Sequence, residues 1–209
     1  MISLFLNTSS RFLNIALFDG DALLDDLDIE LGKDLSRETL FLINQLLEKN
    51  DLVPSKIDNI ICVRGPGSFT GLRVGVTIAK VFSYFFEKKL YSISSLEVMA
   101  LSLNENIIVP IIDARRGYVY ASIFDKDYNV LMSERYIKLE DLKDRVREFG
   151  NDAVYVSNDS FSFDVLPYKA RLDNLMKCKF LKEENSMTFV PTYLKKTEAE
   201  EKLYDKTTK

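Results

Sequence analysis

The first thirty residues alternate short apolar, β-prone runs with breaks too short to hold a helix. Runs over 2–7, 12–18 and 22–31 are separated by Ser-Ser-Arg and Asp-Gly-Asp, which predicts an antiparallel meander of hairpins. The period then changes to helical. Asp34 or Ser36 can cap a helix running to about Asn50, with Leu40, Ile43 and Leu47 spaced for its core face. A strand over 57–63 follows, then a glycine-rich loop, a second helix over about 71–88, a short strand over 90–93 and a third helix over 95–103.

The pattern then begins again. Strands over 107–113, 118–124 and 130–138 lead into a helix over 139–149 and a strand over 153–156, with Ala-Arg-Arg-Gly as the first turn. A β-β-β-α-β order met twice points to two related α/β subdomains facing each other, as in the actin-like and sugar-kinase ATPases. The second copy is incomplete, because 157–185 has no clear period and reads as loops with one short element at most. Phe189-Val-Pro-Thr-Tyr-Leu is β-prone, and a charged run, 195–209, fits a solvated helix or a frayed tail.

The loop Gly65, Pro66, Gly67, Ser68, Phe69, Thr70, Gly71 before Arg73 is the most distinctive stretch. Its glycines permit backbone conformations barred to other residues and place N–H groups at a helix start. Two readings stand: a tight strand-to-helix turn, or an anion cradle. No Lys-Ser or Lys-Thr follows Gly71, so the loop is not of the Walker type.

Behind it, Gly71, Gly75, Ala79 and Ser83 recur every four residues and give one flat face for close helix packing. Val74, Val76, Ile78, Val81, Phe82, Phe85 and Phe86 make the rest of this helix apolar as well. A helix apolar all round needs cover on more than one side. Either a partner or the chain's own interior supplies it.

Composition narrows the function. With 209 residues, 46% of them hydrophobic, the chain can build well-formed cores without disulfide staples. Cys62 sits in an apolar run and reads as a buried, reduced thiol, consistent with a cytoplasmic setting. No leader-like start and no apolar stretch near the roughly 20 residues needed for a membrane span predict an unexported, non-membrane protein. A net charge of -4 and a pI near 5.1 argue against gripping a polyanion unaided. The absence of histidine from the sequence removes every Ser-His-acid, Cys-His and His-x-x-x-His device.

The loop 65–73 with Val74-Gly75 and Ala79-Lys80, the run Asp113-Ala-Arg-Arg-Gly-Tyr-Val-Tyr-Ala and Pro191-Thr-Tyr-Leu-Lys together resemble the TsaB (YeaZ) family, over nearly the whole length. The resemblance implies an actin-like (ribonuclease-H-like) fold of duplicated β-β-β-α-β-α subdomains with a reduced second one. The amino-terminal subdomain would span 1–104, joined by the tail 191–209, and the smaller one 105–190.

The resemblance further implies a non-catalytic subunit of the tRNA threonylcarbamoyladenosine machinery. It would dock its first two helices onto the catalytic paralogue TsaD, or onto a second copy of itself, with a TsaE-like ATPase in the same assembly and tRNA held only through the complex. Leu72, Gly75, Val76, Ala79, Phe82 and Ser83, with Phe41 and Gln45, are the expected contact residues. The chain alone would bind no cofactor or metal, with ATP or ADP only at the shared interface.

Two departures bear on mechanism. The family opens its first hairpin with Asp-Thr-Ser, but this chain has Asn7-Thr8-Ser9, candidate nucleotide contacts whose neutral amide is a poor magnesium ligand. Leu35 stands where relatives often carry histidine. A stand-alone ATPase or small-molecule kinase is the competing reading, and a peptidase has no residues to work with. Asp113, Arg115 and Arg116 read either as an acid beside a phosphate clamp or as a turn with its salt bridges. Tyr118 and Tyr120 read as sheet-packing residues.

Overall fold

A computed structural model describes residues 1–150 and 152–195. Strands β1 (Ile2–Asn7), β2 (Phe12–Asp19) and β3 (Ala22–Glu30) form the expected meander, and α1 (Leu35–Lys49) crosses to β4 (Asn59–Val63). Helix α2 (Phe69–Phe85) leads to β5 (Lys89–Ile93), and α3 (Ser95–Leu101) leaves the first unit. The second unit holds β6 (Ile107–Asp113), β7 (Tyr118–Asp125), β8 (Val130–Lys138), α4 (Leu139–Arg147), β9 (Ala153–Ser157) and the two-residue β10 (Leu166–Pro167). Strand β11 (Lys182–Glu184) closes the described chain's regular structure.

The two sheets repeat one topology. The first runs β11-β5-β4-β1-β2-β3 and the second β10-β9-β6-β7-β8, with the first strand of each unit parallel to its fourth and antiparallel to its second. This is the duplication that the element order predicts. The second copy connects β9 to β10 without the helix that α2 provides in the first.

Burial explains the layering. Strands β1 and β4 are apolar almost throughout and lie mid-sheet, whereas β3 alternates and sits at the edge. Leu4, Leu6, Ile60 and Cys62 face α1 and α2, while Phe5, Ile61 and Val63 face α3 and a later segment. On the second sheet Val109, Ile111 and Val119 pack under α4. Ile108, Phe124 and Val156 meet Leu96, Met99 and Ala100 of α3, so that short helix is shared by both units.

Several expectations need correction. Leu40 is exposed, not core, because α1 turns Leu35, Thr39, Ile43, Leu46 and Leu47 inward. Asp34 holds the cap position of α1 without a side-chain cap bond. The strand expected from residue 57 begins at Asn59, after a single tight turn at Pro54–Lys56. No strand forms over 189–194, where Phe189 is buried as a single anchor.

The boundary at 190 falls too late. From Leu172 the chain packs on the first unit, with Leu172 and Leu175 buried against Phe5 and Phe18 and β11 paired with β5. Residues 196–209, including most of the charged run, lie outside the described residues. Among the described residues no helix is long and apolar enough to cross a membrane.

Candidate functional site

The glycine loop is a close-packed corner. Thr8 Oγ1 donates to the carbonyl of Gly71 at 2.7 Å, and the Ser68 N–H donates to the carbonyl of Ser9 at 2.7 Å. On the other side the Ser95 N–H and hydroxyl reach the carbonyls of Gly65 and Pro66, and the Thr192 N–H reaches that of Arg64. Ser68 caps α2 by accepting from the Gly71 N–H.

The glycines are therefore required by contact with the chain itself. A Cβ on Gly67 would meet the Ser9 carbonyl at 2.2 Å, and one on Gly75 would meet Thr8 Oγ1 at 2.3 Å. Of the two readings of the loop, these contacts favour the strand-to-helix turn.

The stripe of small residues is consequently spent inside. Leu72, Gly75, Val76, Ala79 and Ser83 are all buried in this chain, against Thr8 and the first sheet. The expectation that they present the contact face is overturned by that packing. Phe82 is half-buried, while Phe41 and Gln45 are exposed.

The open face lies beside the stripe. Between α1 and α2 runs an apolar groove of about 390 Å³, floored by Ile43, Leu47 and Phe82 and walled by Leu40, Val81 and Phe85. Leu40 is 62% exposed, Val81 61% and Phe85 73%, with Phe41 and Tyr84 also exposed close by. Among the described residues no charged side chain lines this groove. The sequence carried a signal for it, since Val81 and Phe85 were among the residues that made α2 apolar all round. Tyr84 carried none.

Asn7 and Ser9 stand at the cleft between the two units, while the Thr8 side chain packs against α2. The Asn7 amide donates to Asn14 Oδ1 at 2.9 Å and accepts from the N–H and hydroxyl of Ser9, and Asn14 in turn donates to Asp28. Burial pushes the Asp28 carboxyl above its usual range. Around Asn7, Ser9, Ser95, Asp159 and Tyr168 the cleft volume is about 40 Å³, against the several hundred that a nucleotide-sized ligand needs. With its amide already bonded and this little room, the cleft does not fit a nucleotide.

Asp113, Arg115 and Arg116 form a turn. The Arg115 N–H donates to Asp113 Oδ1, the Asp113 N–H to Asp159 Oδ2, and both arginines and Gly117 take positive φ. The salt bridges expected with this turn are not found among the described residues, and both arginines are exposed. Tyr118 stacks on Tyr136 at 4.6 Å and 7°, so these rings share one face while Val119 and Ala121 are buried on the other. Among the described residues no cluster of three or more His, Cys, Asp or Glu side chains could hold a metal.

An ionic junction escaped the sequence reading. Arg64 Nη2 meets Glu134 Oε1 at 2.9 Å and Nη1 lies 3.7 Å from Glu97 Oε2, linking the end of β4 to β8 of the second unit. Burial pushes the Glu97 carboxyl above its usual range, while the Ser94 N–H and Arg64 pull the other way. Nothing in the local pattern around Arg64 marks this contact.

A family model described as TsaD: tRNA N6-adenosine threonylcarbamoyltransferase matches residues 30–166. The tRNA threonylcarbamoyladenosine biosynthesis protein TsaB of Bacillus subtilis is 29% identical over 97% of each chain. Its Escherichia coli namesake is 24% identical over 72% of this chain and 68% of its own. A solved Pseudomonas aeruginosa structure, described as similar to the peptidase YeaZ, superposes with a TM-score of 0.73 at 18% identity. It covers 93% of this chain and 99% of its own, a likeness of fold.

Proposed function

This chain belongs to the tRNA N6-adenosine threonylcarbamoyltransferase (TsaD) family, in its TsaB (YeaZ) branch, and on that premise we propose a non-catalytic role in making threonylcarbamoyladenosine in tRNA. It acts by docking the groove between α1 and α2 onto a TsaD-like catalytic subunit, or onto a second copy when that partner is missing. A TsaE-like ATPase joins the same assembly. Any nucleotide is held where subunits meet.

The observation that carries this reading is the groove itself. Leu40, Phe41, Val81, Tyr84 and Phe85 stand exposed together. Fully covering a side chain of this kind contributes about 1.5–3 kcal/mol, of which the part still exposed here leaves about 1–2 kcal/mol each, and association costs about 4–15 kcal/mol. A stable complex therefore needs most of them buried at once, which a helical partner laid along the groove achieves. The lack of histidine in the sequence supports a supporting role over a chemical one.

The test is co-elution of the full chain with the TsaD-like subunit of the same cell. Val81→Asp is expected to abolish co-elution while leaving the circular dichroism melt in place. Undiminished complex formation by that variant would sink the docking surface. Unchanged threonylcarbamoyladenosine in tRNA after depletion of the protein would sink the pathway.

A further inference from the structure

At the start of α2, one turn before the Thr77 end of the groove, the described chain carries a second surface of different chemistry. Phe69 and Tyr193 lie 5.1 Å apart, ring centre to ring centre, with the Arg73 guanidinium 3.8 Å over Phe69 and its Nε within 3.4 Å of the Tyr193 hydroxyl. Two residues on, Lys195 places its ammonium 5.4 Å from the ring of Tyr136, which is stacked on Tyr118. Lys138 is paired with Tyr118 across β7 and β8 and therefore shares its face. The two aromatic groups are joined by the segment 193–195, so they form one strip.

Single exposed aromatics are ordinary on protein surfaces. This strip differs in two respects. Phe69 and Tyr193 remain about half exposed, yet the cations beside the rings, Arg73, Lys138 and Lys195, pair with no carboxylate among the described residues. The strip is also held in place from below. Phe189 is buried in the first core, the Thr192 N–H bonds to the Arg64 carbonyl, and Arg64 is tied to Glu134, two residues from Tyr136 on the same face. Prepositioned rings lose little conformational freedom on binding, which favours affinity.

We propose that the strip of Phe69, Arg73, Tyr193, Lys195, Tyr136 and Tyr118 binds unpaired RNA. Bases stack on the rings and phosphates lie against the three cations. Duplex RNA offers no splayed bases to such rings, so the ligand is a loop or a single strand. The overall charge of -4 does not oppose this, because the positive charge is gathered locally. The inference rests on the tRNA-modification reading for the source of the RNA, not for the chemistry.

The experiment is fluorescence anisotropy of a labelled, unstructured RNA of about twelve nucleotides with the full-length protein. Tyr193→Ala and Arg73→Ala are each expected to weaken binding on the order of tenfold, with Tyr193→Phe close to wild type and all three melting like the parent. Neutralising three phosphates predicts a slope of about -2 for log affinity against log salt.

Failure to saturate at about 100 µM protein, the weak end of non-specific binding, would overturn the proposal. Equal binding of a duplex of the same length would overturn it in favour of charge alone. Displacement of the RNA by polyglutamate would overturn it in favour of an acidic protein partner. Tyr193→Ala is expected to keep co-elution with the catalytic subunit and Val81→Asp to keep RNA binding, so each reading fails separately.

Discussion

Thr8 occupies the space beside Gly75 that any larger residue at 75 would need, its Oγ1 standing 2.3 Å from where a Cβ would lie. The same threonine donates to the Gly71 carbonyl, one turn earlier on α2. The helix is thus pressed onto the turn after β1 along its line of smallest side chains. That contact fixes the orientation of α2, and with it the flank that α2 turns toward solvent.

Adding a methyl group at either glycine tests this contact, with different partners for the two clashes. At Gly71 the new Cβ meets the Thr8 carbonyl at 2.0 Å, which is backbone, and at Gly75 it meets the Thr8 side chain. Overpacking costs about 1–3 kcal/mol and outweighs the roughly 1 kcal/mol of helix propensity gained from alanine. Urea denaturation is expected to show Thr8→Ala rescuing much of the Gly75→Ala loss and little of the Gly71→Ala loss. Equal rescue of both would contradict the geometry.

Ala79 and Val81 sit two residues apart on α2 and are expected to respond oppositely. Ala79 is fully buried, so Ala79→Leu should destabilise the fold by about 1–3 kcal/mol. Val81 is mostly exposed, so Val81→Asp should change stability by no more than about 0.5 kcal/mol while removing co-elution. Thermal melts paired with size-exclusion of the mixture read both quantities on the same samples.

Periodicity made the frame legible. Strand runs and helix spacing near the chain start predicted β1 to β3 and α1, and element order alone predicted the duplication. The inward side of α2 was not legible, since a four-residue spacing of glycines is the same whether it meets Thr8, 63 residues from Gly71, or a foreign helix. Leu40 misled because its spacing with Ile43 and Leu47 suits a core face, whereas α1 is rotated so that Thr39 takes the inner position. Lys182-Glu-Glu carries no apolar pattern, so its pairing with β5 follows from the earlier anchors Leu172 and Leu175 rather than from its own residues. Long-range ion pairs such as Arg64 with Glu134 leave no local signature.

Stability should depend on pH through two carboxylates of opposite sign. Burial raises Glu97 above its usual value of 4.5, so the native state keeps a proton that the unfolded chain releases. Its contribution therefore falls as pH rises from 4.5 through the folded value. Asp25 is lowered from 3.8, chiefly by hydrogen bonds from Lys49 and Asn50, so its contribution is present above 3.8 and lost as pH falls through the folded value. Denaturation across this range should show Glu97→Gln flattening the fall toward neutral pH and Asp25→Asn flattening the fall toward acid. A Glu97→Gln curve parallel to that of the parent would show that the buried carboxyl is not the source.

Arg64 is where the two units are tied, and its removal should separate an ionic tether from simple packing. Its side chain is 21% exposed and that of Glu134 23%, so this pair is screened less than a surface bridge. Arg64→Ala leaves Glu97 and Glu134 near each other without a cation, with the Ser94 N–H donating to Glu97 at 2.7 Å and its hydroxyl to Glu134 at 2.5 Å as neutral donors that do not cancel the charge. Breaking one side of a fully buried pair costs about 3–5 kcal/mol; the partial exposure here reduces the expected loss to about 1–3 kcal/mol. Because Arg64 now opposes the upward push on Glu97, its loss should also raise that carboxyl further and steepen the fall in stability above pH 4.5. Replacing both partners by methionine should recover part of the loss, since the penalty comes from the orphaned charge. A double-mutant cycle with no coupling between Arg64 and Glu134 would mean that α3 and its apolar contacts hold the units together unaided.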